Sequence, residues 1–382
     1  MSLTIHGAGC CLMDFLYTGA DFTAPAFTEL ASRSPGDGGL NIGGLVFAEH
    51  LASFADQPIA QLIESLAAGK DPDAQNVGGP AIVSLIHTAQ VVPEATVRFF
   101  GLLGNDEAGA TIARTIDETP VDSTSIARAG GATPATHVFS DPSFNGEGER
   151  LFVNQLGVAN NEQSGQLPDR FFEADIVQFG GTALVPPLHS RLPEYLRRAK
   201  ASGAFTVVNT VYDFMAESRK PGSRWTLGSD ESYPSTDLII ADLEEARRLT
   251  GCETAENAVQ WFLNRGVGAA IVTCGADPVW FASASSGSQP ISMPVYAQFR
   301  IQNQEACAGG DTTGCGDNFC GGVVAEIAKD TESFSIADAV DNGIAAGALC
   351  LTYVGGTLIE EAPGQKRRKV ESVQKAYQKQ LG

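Results

Sequence analysis

Between residues 309 and 322 the chain reads GGDTTGCGDNFCGG, six glycines set around Asp311, Cys315 and Asp317 and followed at once by an apolar stretch. Glycines leading into a helix are an arrangement with chemical use. A helix N-terminus carries unpaired N–H groups and about half a positive charge. Gly314 and Gly316 let the backbone come close to an anion, so the amides of Gly314, Cys315 and Gly316 form a phosphate-sized nest. Asp317 falls in the first turn, either as an acid–base group or as an ordinary cap. Cys315 lies inside the nest, where a helix N-terminus lowers a thiol pKa, so it is expected to be the most reactive of the eight cysteines.

Other polar groups sit where strands give way to loops. Asp14 ends the opening apolar run, and Gly78 and Gly79 in NVGGPA make a turn or a close backbone approach. Asp242 and Glu245, three apart in DLEE, share one helical face; they suit water-mediated Mg²⁺ binding or a capping box. Thr273 and Gly275 close the strand-like AAIVTCG, while Asn342 lies in DNGIAAGALC, which reads equally as a small-residue packing helix. Arg150, in a turn-rich segment, is either a substrate contact or a surface arginine. Two familiar nucleotide patterns are missing: no GxxxxGK[ST] exists, and GAGCCL lacks the third glycine of GxGxxG.

The elements that must hold these residues follow from periodicity. LTIHGAGCCLMDF reads as a buried strand, VFAEHLASF and IAQLIESLAAG as helices, AIVSLIHTAQ as another helix and ATVRFFGLLG as a strand. TPATHVFSDPSFNGEGERLFVNQ alternates around a turn-rich middle, a hairpin. From DIVQFGG to AAIVTCG short strands alternate with helices, the rhythm of βαβ units and a mostly parallel sheet. DPVWFASASSGSQPISMPVYAQ then adds two antiparallel strands. In such open sheets ligands bind at the carboxyl ends of the strands, where the polar residues above are found.

Composition narrows the function further. With 382 residues, 43% of them hydrophobic, the chain buries a large core, and it has no apolar run long enough to cross a bilayer. A net charge of −20 repels nucleic acid and anionic membranes. Eight cysteines without a CxxC pair, five scattered histidines and no leader at the start point to a cytoplasmic protein without a disulfide framework or zinc site. The closing KRRK run reads as the solvated face of a helix, since Val370, Val373, Tyr377 and Leu381 recur at helical spacing; a nuclear address is the other reading.

Taken in order, DTTGCGDNFCGG, GCCLMD, NVGGPA, FFGLLGNDEAG, GERLFVNQLGVAN, DLEEARRLTG and VTCG resemble the signatures of the ribokinase-like, or PfkB, carbohydrate kinases over nearly the whole chain. The resemblance implies a doubly wound, mostly parallel α/β sheet flanked by helices, with a small β lid. Residues 1–14, 46–131 and 158–382 would form the core, and 15–45 with 132–157 the lid. It implies γ-phosphoryl transfer from ATP, with Mg²⁺, to a hydroxyl of a small sugar or sugar derivative. Asp317 would be the general base and Gly314, Cys315 and Gly316 the anion hole. Asp14, Gly78 and Gly79 would hold the acceptor, Thr273, Gly275 and Asn342 the nucleotide, and Asp242 with Glu245 the metal. No nucleic-acid or membrane partner is implied, and a homodimer through the lid is compatible with it. Several positions depart from the family pattern: Ile82 replaces the asparagine of GGxxN, Asp242 that of NxxE, Cys315 the alanine of GAGD, and NTVYD at 209–213 stands for DxNxR. A nucleoside kinase of the same family, and a non-catalytic ligand-sensing relative, are the alternatives.

Overall fold

The computed structural model describes residues 3–34, 36–146 and 148–381. The opening run is two strands rather than one: β1 (Thr4–Gly9) and β2 (Leu12–Thr18) belong to different sheets. The chain passes between them at Gly9, whose φ of +139° and contact with the Gly180 carbonyl, 1.9 Å from where a Cβ would stand, leave room for no other residue. After β2 come β3 (Leu45–Phe47), β4 (Ala74–Gly78), β5 (Thr96–Gly104) and β6 (Ile126–Ala129). A hairpin follows, as its alternation predicts: β7 (Ala135–Asp141) pairs antiparallel with β8 (Glu149–Gln155). The βαβ rhythm supplies β9 (Ile176–Gly180), β10 (Phe205–Asn209), β11 (Leu238–Asp242) and β12 (Ala269–Cys274), and then β13 (Asp277–Ser283) and β14 (Ile291–Met293) run antiparallel.

The large sheet has nine strands in the order β14-β13-β12-β11-β10-β9-β1-β5-β6. Alternation along its strands divides two cores. Ile176, Val207, Leu238 and Ala269 face the helices Pro80–Val91, Cys315–Ile327 and Ile336–Cys350. Their neighbours Val177, Val208, Ile239 and Ala270 face the helices Pro186–Ala201, Leu243–Thr250 and Ala255–Asn264. Strands buried on both faces in this way are what parallel sheets demand.

The second sheet has five strands in the order β3-β8-β7-β2-β4, and the segments expected to form a lid, 15–45 and 132–157, supply only part of it. The helices Ala48–Ala55 and Ile59–Leu66 pack Leu51, Leu62 and Leu66 against Phe139, Leu151 and Val153 of this sheet, not against the large sheet. Residues from 46 to the end of β4 thus pack with the second sheet, beyond the segments 15–45 and 132–157 expected to form the lid. The cause is β4, which pairs antiparallel with β2 and carries the intervening helices over with it. Among the described residues no helix is long and apolar enough to cross a membrane.

Candidate active site

The glycine stretch forms the turn and helix its sequence implies. Gly314 is the N-cap of the helix Cys315–Ile327, with φ +77°, and no side chain caps that end. Asp317 is thus not spent as a cap. Gly314 must be glycine twice over, since a Cβ there would also lie 2.3 Å from Gly356 Cα. Gly316 differs: a Cβ there would meet nothing within 4 Å, so open space lies over the first turn. Burial pushes the Asp317 carboxyl up to about 6.

Acids from other elements lie near enough to feel the charge of Asp317. Asp14, on β2, is pushed up to about 7 by burial and then by the charges of Asp317 and Asp311, against a Thr136 hydrogen bond that lowers it. Glu245 also rises to about 7, mainly through burial, with Asp317 adding a smaller share. Neighbouring carboxyls of raised pKa are characteristic of acid–base sites.

Around Asp14 the second sheet lays out a polar row. Strand register puts Asn76 on β4, Asp14 on β2, Thr136 on β7 and Asn154 on β8 side by side, so all four share one face. Asn154 Nδ2 donates to Thr136 Oγ1 at 2.9 Å, and the Thr136 hydroxyl in turn bonds Asp14. Two buried atoms of the row, Asn154 Oδ1 and Asn76 Nδ2, have no partner within the protein. A buried acceptor and a buried donor left open at the two ends of a row suit a polar ligand. Gly78 and Gly79 permit the geometry: a Cβ on Gly78 would stand 2.1 Å from Asp14 Oδ2, and Gly79 has φ +110°. Asn76, Thr136 and Asn154 were not found by sequence reasoning, because only strand pairing aligns them. Ile82, at the departure from GGxxN, is a fully buried core residue.

At the carboxyl ends of β11 and β12 the remaining candidates divide. Asp242 caps the helix Leu243–Thr250 in a full capping box with Glu245. Glu245 Oε2 also accepts from the Asp242 N–H at 3.2 Å and from the Thr210 hydroxyl. Thr273 is the register partner of Asp242, and Gly275, with φ +63°, turns the chain into β13. Asn342 is buried between two helices, its Nδ2 donating to the Gly322 carbonyl at 2.9 Å, which is the packing alternative. Arg150 lies exposed on the second sheet. Among the described residues no group of three or more His, Cys, Asp or Glu could hold a metal ion by itself.

Cys315 overturns the expectation of a reactive thiol. The neighbouring Cys350 thiol and burial push its pKa up instead of down. The side chain is half-buried.

A large, mostly parallel sheet flanked by helices, a second small sheet and a glycine-led helix end form the ribokinase-like α/β fold. The family model described as "pfkB family carbohydrate kinase" matches residues 73–363, and the chain belongs to that family. Among curated relatives, the ATP-dependent 6-phosphofructokinase of Thermoanaerobacterium thermosaccharolyticum is 30% identical over 119 residues, 31% of this chain and only 32% of the relative. The aminoimidazole riboside kinase of Salmonella typhimurium is 23% identical over 70% of this chain and 80% of its own length. Of solved structures, a ribokinase from Thermotoga maritima superposes with TM-score 0.63 at 17% identity, over 98% of this chain and 99% of that one. An adenosine kinase from Schistosoma mansoni, in complex with 2-fluoroadenosine, gives 0.70 at 16%, over 93% and 96%. The protein is thus a phosphotransferase of the pfkB carbohydrate kinase family.

Proposed function

We propose that the protein transfers the γ-phosphoryl group of ATP to a hydroxyl of a sugar or of the sugar half of a nucleoside, with Asp317 as general base. The single observation that carries this reading is the pairing of an uncapped, glycine-led helix end, open at Gly316, with a carboxyl of raised pKa in its first turn. Phosphoryl transfer has a loose transition state with charge on the equatorial oxygens, so positioning and fixed dipoles supply most of the catalysis. The amides of Gly314, Cys315 and Gly316 meet those oxygens without reorganising. The Cys315 N–H makes only a long turn bond, 3.3 Å to the Thr312 carbonyl, which an anion can replace. Asp317 takes the proton of the attacking hydroxyl as its oxygen bonds phosphorus and ADP departs. A pKa near 6 suits that task better than an ordinary aspartate, because the base is stronger yet still ionised at neutral pH.

Asp14, Thr136, Asn154 and Asn76 are the acceptor-side row. A carboxylate flanked by an open acceptor and an open donor matches adjacent hydroxyls, which a free sugar and a ribonucleoside both present. Thr273 and Gly275, at the carboxyl end of β12, are assigned to the nucleotide on the family resemblance. Asp242 and Glu245, both engaged in the capping box, would hold a Mg²⁺ through its waters, and the ion would supply charge neutralisation at the phosphates. The lid sheet excludes water from the acceptor, which would otherwise compete for the phosphoryl group.

The test is a coupled ADP assay with Mg-ATP and a panel of ribose, aminoimidazole riboside, adenosine and other sugars and nucleosides. Turnover on a sugar or nucleoside, lost in Asp317→Asn, is expected. No acceptor-dependent ADP from any of them would favour a ligand-sensing relative instead.

A further inference from the structure

Behind the proposed anion site lies a buried polar cluster that the transfer step does not use. Asn318, next to Asp317, is 0% exposed. Its Nδ2 donates to the Gly314 carbonyl at 2.9 Å and to the Gly356 carbonyl at 2.8 Å. These are the two glycines whose backbones touch where the nest begins. Its Oδ1 is approached by Lys366 Nζ at 2.8 Å, by His87 Nδ1 at 2.8 Å and by the Tyr353 hydroxyl at 3.1 Å. Lys366 donates to the oxygen while the two carbonyls, which only accept, take the nitrogen, and this fixes which way the amide faces.

Lys366 is itself 0% exposed, although it belongs to the KRRK run whose other members, Arg367, Arg368 and Lys369, are exposed. It stands at the start of the closing helix Gln365–Leu381, one turn before the buried Val370. Its nearest charged or titratable neighbours are His87, Cys350, Tyr353 and Glu360, the last accepting from its backbone N–H at 2.6 Å. A buried amine is costly where an apolar side chain of the same length would serve for packing alone. The cost is understandable if the donor does work for the neighbouring loop.

We propose that Lys366 is a positioning residue for phosphoryl transfer: it orients Asn318, and Asn318 clamps the Gly314 turn to Gly356 so that the anion-binding amides stay in register with Asp317. The inference rests on the reading of Asp317 and the nest given above. It makes the closing helix, remote in sequence, part of the support of the site.

Lys366→Met, Lys366→Gln, Asn318→Asp and Asp317→Asn are to be compared with the parent by steady-state kinetics, using Mg-ATP and the acceptor found in the panel, with thermal melting alongside. In Lys366→Met kcat should fall roughly 10- to 100-fold, the scale of a small misplacement of catalytic groups, while KM for both substrates stays near the parent's. Lys366→Gln, which keeps an N–H donor without the charge, should recover most of that loss. Asn318→Asp retains a partner for Lys366 but replaces the donor that faces two carbonyls, and should lose kcat even where it melts like the parent. Parent-like kcat in Lys366→Met overturns the proposal, as does an equal loss in the Met and Gln variants or a loss confined to KM. If Lys366→Met does not fold, parent-like kcat in Asn318→Asp overturns it by itself. Asp317→Asn separates the two layers: full turnover there removes the transfer reading, whereas its loss beside an intact Lys366→Met removes only the clamp.

Discussion

Asp317 offers the sharpest test, because one carboxyl makes opposite demands on rate and on stability. With its pKa raised from 3.8 to about 6, it is ionised in roughly one molecule in ten at pH 5 and nine in ten at pH 7. An aspartate left at 3.8 would be more than about nine-tenths ionised at both. If the carboxylate is the base, kcat/KM should therefore drop about tenfold between pH 7 and pH 5, against almost no change for an unperturbed acid. Asp14 and Glu245 titrate nearby, so the midpoint belongs to the group of acids and the single-residue assignment must come from the variant. Asp317→Asn should lower turnover by about 10² to 10⁴ and flatten the remaining acid limb. Stability should move the other way. Burial raises this acid, so ionising it costs the folded state stability as pH climbs from 3.8 through about 6, and below 3.8 the cost is absent. The variant should accordingly melt no lower than the parent at pH 4 and higher at pH 7.5. The assay is a pH series of initial rates at fixed Mg-ATP with melting curves at the two ends. A flat profile from pH 5 to 7, with less than about a tenfold loss in Asp317→Asn, would refute the assignment.

Gly316→Ala should fold well, since its Cβ meets nothing and alanine favours a helix by about 0.5–1 kcal/mol, yet turnover should fall because the methyl enters the anion space. Parent-like kcat would place the phosphate elsewhere. Asn154→Ala removes the Thr136 contact and the open Oδ1, so acceptor KM should rise roughly 5- to 30-fold, for about 1–2 kcal/mol of lost hydrogen bonding, with KM for ATP unchanged. An unaltered acceptor KM would take the row out of recognition. Glu245→Gln keeps the oxygen that accepts from Asp242 N–H and Thr210, so the capping box should survive while the Mg²⁺ concentration for half-maximal rate increases. Superimposable magnesium titrations of variant and parent would leave the pair a helix cap only.

Much of the protein was determined locally and was legible in its sequence. The glycine-led helix start at 314–317, the β7–β8 hairpin, the βαβ alternation from β9 to β12 and the antiparallel pair beyond it all depend on neighbours within a few residues. Backbone conformation and hydrophobic period act at that range, and family signatures lie on the same segments. Three matters were decided by tertiary structure instead. The row Asn76, Asp14, Thr136, Asn154 exists only because four strands pair in one register, and no single segment contains it. Cys315 carries the position of a reactive thiol, but a side chain at a helix start takes its environment from whatever packs behind it, here Cys350, and so its pKa rises instead of falling. Lys366 shares helical spacing with Val370, Val373 and Tyr377, which put it on the buried stripe, while its charge argued for solvent. Spacing prevailed because Asn318 supplies an oxygen inside the core, and a buried amine is tolerated only where such a partner already stands.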